Sequence, residues 1–325
     1  MTLISPSCWV VTHGVPGVEN QCLGVAEALG LTPTLKRITL RAPWRQLSPF
    51  LRWGLRHALS AEGDRLAPPW PDLLIASGRA SVLASLYVRQ ESRRAGGRGT
   101  FTVQIQNPVI DPSHFDLVVV PRHDLLNGPN VLSTTGSLHR VTPQRLVQEA
   151  EKFASAFAPF KPPYHVVLFG GSNAVYKLTR KEMTVLAAQL RAVAAQGGSL
   201  LITASRRTGE ENLRILQEAL QGLPAFIWDG TGPNPYYAML HMADILLVTC
   251  DSVNLVSEAC ATGKPVMILD LPGGSDKFRR FHQALHEDGL TRPFKGAVER
   301  WHPKPLEDVQ RVADRIRGMR GLGNN

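Results

Sequence analysis

Short apolar runs alternate with helical patterns along the whole chain. Runs at 8–12, 35–40, 72–76, 101–105, 116–120, 165–169, 199–204, 225–228, 244–249 and 265–269 predict strands. Segments at 19–29, 79–91, 143–156, 179–196, 209–221, 235–242, 253–261, 276–287 and 305–318 predict helices. "HVVLF", "LLITA" and "DILLVT" show no period-2 alternation, the pattern of strands buried on both faces. Strands alternating with helices predict an α/β fold of parallel sheets covered by helices.

The proline-rich stretch "FAPFKPPYH" at 157–165 predicts a boundary. It divides the chain into an N-terminal Rossmann-like domain over 1–158 and a C-terminal one over 159–304. A final helical segment over 305–325 is expected to pack back on the first domain. The two domains are expected to face a cleft, since open parallel sheets take ligands beyond the carboxyl ends of their strands.

Polar residues gather at those strand ends. In "FGGSNAVYKL", Gly170 and Gly171 permit a tight turn and close approach of a ligand, and Ser172 and Asn173 offer side-chain donors; a strand-to-helix turn with capping residues fits equally. In "TASRRTGEEN", Arg206 and Thr208 follow a strand and suit phosphate, with Arg207 beside them. In "CDSVNLVSEACATGKPV", a helix begins near Ser252 and ends at Gly263. The amides of Ser252, Val253 and Asn254 lie at its positive end, where an anion is favoured. Glu258 stands more than one turn in, too far along to cap. Its carboxylate can accept two hydrogen bonds from a vicinal diol such as a ribose; the plainer reading is a solvated helix residue. Asp251, a carboxylate beside an anion site, must turn away or cap the helix.

The second half resembles the C-terminal domain of GT-B glycosyltransferases, especially the peptidoglycan N-acetylglucosaminyltransferase MurG. The resemblance rests on "GGSNA" at 170–174, "YYAMLHMADILLV" at 236–248, "VSEACATGKPV" at 256–266 and "DKFRRFHQAL" at 276–285. It implies a nucleoside-diphosphate sugar donor, UDP-linked, with no required cofactor; no metal is expected, because no carboxylate pair with suitable spacing appears. Ser252, Val253 and Asn254 with Gly170, Gly171, Ser172 and Asn173 would hold the diphosphate. Glu258 would bind the ribose, and "WDGTG" at 228–232 would lie near the base. Arg279, Arg280 and Gln283 would face the donor sugar, although arginines stand where that family has amides; arginine suits an acidic sugar or an extra phosphate. The whole chain also resembles the family named for mitochondrial fission protein ELM, bacterial members included. That resemblance is carried by "GVPGVENQCLGVAEALG" at 14–30, "FDLVVVPRHD" at 115–124 and "TCDSVNLVSEACATGKPV" at 249–266. The family name comes from a plant organelle phenotype, and the family has also been labelled a nucleotide-sugar epimerase.

By the same resemblance the first domain would bind an acceptor and supply a base. The MurG loop histidine would fall near Val18, which cannot take a proton; His13 and Glu19 are the nearest titratable candidates. Glutamate in a first helical turn is also favoured by the helix dipole. Arg79, Arg122 and His123 end other strands of this half and suit an anionic acceptor or the donor phosphates; Arg122 with Asp124 is equally a loop ion pair.

Composition narrows the setting. The chain has 325 residues, 43% of them hydrophobic, enough for two cores. No apolar run approaches the roughly 18 residues of a membrane span. The start "MTLISPSCWVVTHG" lacks a basic segment followed by a long apolar one, so a cytoplasmic protein is expected. Cys8, Cys22, Cys250 and Cys260 have no metal-ligand spacing. A formal net charge of +9 suits an anionic partner. Residues 36–57 hold six Lys and Arg and no acid. "SPFLRWGLRHAL" predicts a helix capped by Ser48, apolar on one face and carrying Arg52, Trp53, Arg56 and His57 on the other. Residues 41–59 suit an anionic membrane surface, such as the inner membrane face; a helix packed on the core with a solvated basic face fits the pattern equally well. No nucleic-acid module is present. Three functions fit: a GT-B-type glycosyltransferase whose acceptor the sequence leaves open, a lipid-linked one included, a nucleotide-sugar epimerase of the same fold, and a non-catalytic membrane-associated scaffold.

Overall fold

The computed structural model describes residues 6–321. The first stretch runs β1 (Cys8–Thr12), α1 (Pro16–Ala28), β2 (Thr34–Arg37), the one-turn helices α2 (Trp44–Leu47) and α3 (Leu55–Ala58), β3 (Leu73–Ser77), α4 (Val82–Arg94), β4 (Phe101–Ile105), β5 (Leu117–Pro121) and β6 (Val131–Thr134). There follow α5 (Pro143–Lys152), α6 (Ala154–Phe157), β7 (Tyr164–Phe169), α7 (Arg180–Ala195), β8 (Ser199–Ala204), α8 (Glu210–Ala219), β9 (Ala225–Trp228) and α9 (Tyr236–Met242). The chain closes with β10 (Ile245–Thr249), α10 (Val253–Cys260), β11 (Val266–Leu269), α11 (Asp276–Glu287), β12 (Thr291–Pro293) and α12 (Asp308–Arg320). Among the described residues the strands form two six-stranded parallel sheets, ordered β2-β1-β3-β4-β5-β6 and β12-β11-β10-β7-β8-β9.

Each sheet is buried on both faces, which is why its central strands lack polar alternation. Successive side chains of a strand point to opposite faces. In the first sheet Val10, Leu73 and Ile75 face α1, while Trp9, Val11 and Leu74 face α4. In the second, Val166, Leu168, Leu246 and Val248 face α5, α9 and α10. Val167, Phe169, Ile202 and Leu247 face α7 and α8.

The units divide at residues 140/141 and 306/307: the chain up to Arg140 clusters with residues from Glu307 onward, and Val141–Leu306 forms the second unit. The first boundary lies upstream of the proline-rich stretch. Helices α5 and α6 belong to the second unit because their apolar positions find partners there. Leu146 and Phe157 enter the core that contains Val166 and Ala238, and Phe157 meets Phe226 edge-on at 5.2 Å. Thr142 caps α5 by accepting the Arg145 amide. In the first unit, α12 lays Val312 and Ile316 into the core beside Val25 of α1, and the Asp308 carboxylate accepts the Thr135 and Gly136 amides, both at 2.8 Å.

Residues 48–59 do not form the single amphipathic helix expected. Ser48 is extended (φ −61°, ψ 138°), as a residue before proline avoids helical backbone. Gly54 lies at φ 65° and separates α2 from α3. Strands β6 and β12 are additions to the expected set; both are short edge strands with few buried positions.

Candidate functional site

The site builds around α10 at the carboxyl end of β10. The Ser252 hydroxyl accepts the Leu255 amide and starts the helix. Ser252, Val253 and Asn254 are half-buried at its positive end. Glu258, one turn further, is 9% exposed, so it is no solvated helix residue. Its Oε2 accepts the Tyr236 hydroxyl of α9 at 2.5 Å. Burial raises the Glu258 carboxyl to about 7, and the Tyr236 hydrogen bond opposes that rise. Burial and the Glu258 charge push the Tyr236 phenol well above its usual range.

In the stretch 170–173 the side chains of Ser172 and Asn173 serve the turn itself. Its glycines admit protein groups: a Cβ on Gly170 would lie 2.3 Å from Asp251 Oδ2, and one on Gly171 (φ +132°) 2.2 Å from the Arg207 carbonyl. All four amides have internal acceptors. Gly170 donates to Thr249 Oγ1, Gly171 to Asp251 Oδ2, Ser172 to the Arg207 carbonyl and Asn173 to the Tyr176 carbonyl. The Ser172 hydroxyl accepts the Leu178 amide, and the Asn173 side chain accepts the Val175 and Tyr176 amides while donating to the Asp251 carbonyl. The loop is a braced wall whose donors are engaged by the protein itself.

Asp251 turns into this wall. Its fully buried carboxylate pairs with Arg207 Nη1 at 2.8 Å, and the same guanidinium nitrogen donates to the Gly171 and Ser172 carbonyls. Arg207 remains 40% exposed. Arg206, its neighbour, is exposed, while Thr208 is buried with its hydroxyl on the Gly170 carbonyl at 2.9 Å. On α11, Arg279 and Arg280 are exposed; Arg279 pairs with Asp276, and Gln283 donates to Glu287 at 2.8 Å. The neighbouring His282 Nε2 lies 2.8 Å from the Cys250 carbonyl, tying α11 to the start of α10.

In the first unit the ends of β1, β3 and β4 converge on Gly78: a Cβ there would lie 3.5 Å from His13 and 3.7 Å from Gln106 and from Val18. His13 is exposed. Glu19 is not an idle carboxylate, since Arg37 holds both of its oxygens at 3.0 and 2.9 Å. Arg79 is committed to the Ser48 carbonyl and lies 5.8 Å from the Phe50 ring centre. Phe50 (63% exposed) and Trp53 (84%) project between the exposed Arg45, Arg52 and Arg56, and the Trp53 carbonyl is held by the Trp44 indole at 2.9 Å. No helix among the described residues is long and apolar enough to cross a membrane.

Sequence reasoning named Glu258 and the start of α10 but missed Tyr236 and the Asp251–Arg207 pair. The signal for the latter was present: a buried carboxylate beside an anion site demands a cation. Tyr236 had only its aromatic neighbour and the turn residues Asn234 and Pro235 to mark it.

Two Rossmann-like α/β units with this strand order define a GT-B-type fold. A UDP-N-acetylglucosamine 2-epimerase from Rickettsia bellii shares it at a TM-score of 0.52 and 12% identity, covering 97% of this chain and 96% of that one. The UDP-GlcNAc 2-epimerase of Methanocaldococcus jannaschii, solved in complex with UDP-GlcNAc and UDP, gives 0.51 and 12%, over 98% and 100%. Within that fold class the chain belongs to the mitochondrial fission ELM1 family, whose model matches residues 16–319. The mitochondrial fission protein ELM1 of Arabidopsis thaliana is 28% identical to it over 386 residues, 95% of this chain and 90% of that protein.

Proposed function

We propose that the protein binds a nucleoside-diphosphate sugar on its second unit and transfers the sugar to an acceptor, without a metal or cofactor. The observation that carries the reading is Glu258, a buried carboxylate oriented by Tyr236 one turn into the helix that opens at Ser252. A carboxylate there accepts the two hydroxyls of a ribose, and the start of α10 with the exposed edge of Arg207 favours the diphosphate. UDP is the first candidate, because a fold relative is solved with UDP and UDP-GlcNAc. Arg206, Arg279, Arg280 and Gln283 are exposed near these strand ends and helices and suit the phosphates and the sugar. His13 is the better base candidate of the two, since Glu19 is held by Arg37.

A second reading, a non-catalytic scaffold that keeps the nucleotide fold, is favoured by the internally satisfied 170–173 wall and the committed Glu19. In either reading, Phe50, Trp53 and the arginines around them suit an anionic membrane surface. A thermal-shift screen of nucleoside diphosphates and their sugar conjugates tests the binding. NMR of UDP-GlcNAc with the protein then separates an epimer, a transferred sugar with added acceptor, or no turnover. Stabilisation by no nucleotide rejects the proposal.

A further inference from the structure

Glu258 is buried, and a buried carboxyl favours its neutral form. A neutral carboxyl donates one hydrogen bond and is a poor match for a diol that needs two acceptor oxygens. The nucleotide-binding reading therefore needs something that keeps this group ionised and aimed. We infer that Tyr236 is the positioning residue that does so, by fixing its hydroxyl on Glu258 Oε2.

The geometry for this is built in. Tyr236 is the first residue of α9, and the Asn234 side chain accepts its amide at 3.0 Å, so its backbone is set by the turn before the helix. Its ring is braced edge-on by Tyr237 at 5.5 Å, and Arg145 of α5 lies 5.8 Å over the Tyr237 ring. Tyr237 and Arg145 are the titratable and charged groups stacked behind the pair. Among the described residues the Tyr236 hydroxyl is the hydrogen-bond donor to this carboxylate. Because the phenol titrates well above its usual range, its proton stays in place and the hydroxyl remains a donor. A permanent donor favours the ionised partner, and it opposes the rise that burial causes. Oε1 is left for the ribose, and a diol that needs both oxygens would share Oε2 with Tyr236, which makes Tyr236 a determinant of nucleoside affinity.

The inference rests on the nucleotide reading for its ligand, but the coupling of Tyr236 to Glu258 can be read without one. Titrate UDP into the full chain by calorimetry from pH 6 to 8.5, using wild type, Tyr236→Phe and Glu258→Gln. Wild-type affinity should rise with pH through about 7 and then level off. In Tyr236→Phe the rise should move upward by about one pH unit, a loss of roughly tenfold near neutrality that narrows as pH increases. Glu258→Gln should keep only the rise that ionisation of the UDP terminal phosphate gives to all three proteins, with no component near 7 from the carboxyl. A Tyr236→Phe curve parallel to wild type at every pH overturns the inference. Ligand-free unfolding gives the second readout. A carboxyl raised in the folded state is protonated there at pH values where the unfolded one is ionised, so its stabilising contribution is lost as pH rises through the folded value. The Tyr236→Phe deficit in unfolding midpoint should thus widen from pH 6 to 8.5, and should not widen in the Glu258→Gln background. If UDP binds wild type at no pH, the nucleotide reading falls, and a pH-independent unfolding deficit would overturn the Tyr236–Glu258 coupling as well.

Discussion

Asp251 places its carboxylate at the carboxyl end of β10, and its entire side chain is out of water. What makes this tolerable is Arg207, whose guanidinium joins the carboxylate to the Gly171 and Ser172 carbonyls. Removing one member of such a pair leaves the other desolvated and unpaired. Arg207→Ala should cost about 2 to 3 kcal/mol in urea unfolding, discounted from a fully buried pair because Arg207 is 40% exposed. Adding Asp251→Asn should recover part of that loss. Strictly additive losses would show that the two side chains do not act together. The sequence made the position legible and its role opaque: the wall partner stands far along the chain, after β8, and contacts of that separation leave no mark in local periodicity. The same holds for Tyr236 and Glu258, twenty-two residues apart on different helices.

At the scale of elements, α12 shows how a segment distant in sequence completes a core. Val312 and Ile316 are fully buried against α1, so Ile316→Ala should cost about 2 to 5 kcal/mol, measured by denaturant unfolding. A change below 1 kcal/mol would mean the helix is not part of the folded core. The segment 44–58 is the opposite case. Its turns expose Phe50 and Trp53, so Phe50→Ala with Trp53→Ala should change stability by no more than about 0.5 kcal/mol for each substitution while reducing sedimentation with anionic vesicles. Unchanged vesicle binding would remove this surface from the account. The central strands were legible because burial on both faces leaves unbroken apolar runs such as "ILLVT". The "VLST" edge strand, mostly half-buried, leaves no such run and was missed. The 48–59 pattern has helical spacing, but Pro49 and Gly54 impose backbone that spacing does not reveal. Likewise the amphipathic 143–157 segment reads as a helix, while the unit it joins is decided by the tertiary partners of Leu146 and Phe157.

At the scale of the whole molecule, the family match and the fold match both span the two units of this chain. A scaffold of this kind carries many chemistries, and function is decided at the site. Here the site offers the buried Glu258 carboxylate, the start of α10 and the partly exposed Arg207 that pairs with the buried Asp251, in a chain of net charge +9. Together these favour an anionic ligand with a diol. The most direct measurement is calorimetric titration of UDP into wild type and Glu258→Ala above pH 8, where the wild-type carboxyl is ionised. The account predicts saturable binding to wild type and a loss of at least tenfold in Glu258→Ala, with both proteins equally folded. Equal affinity in the two proteins, or no binding to wild type by UDP or another nucleoside diphosphate, would contradict it.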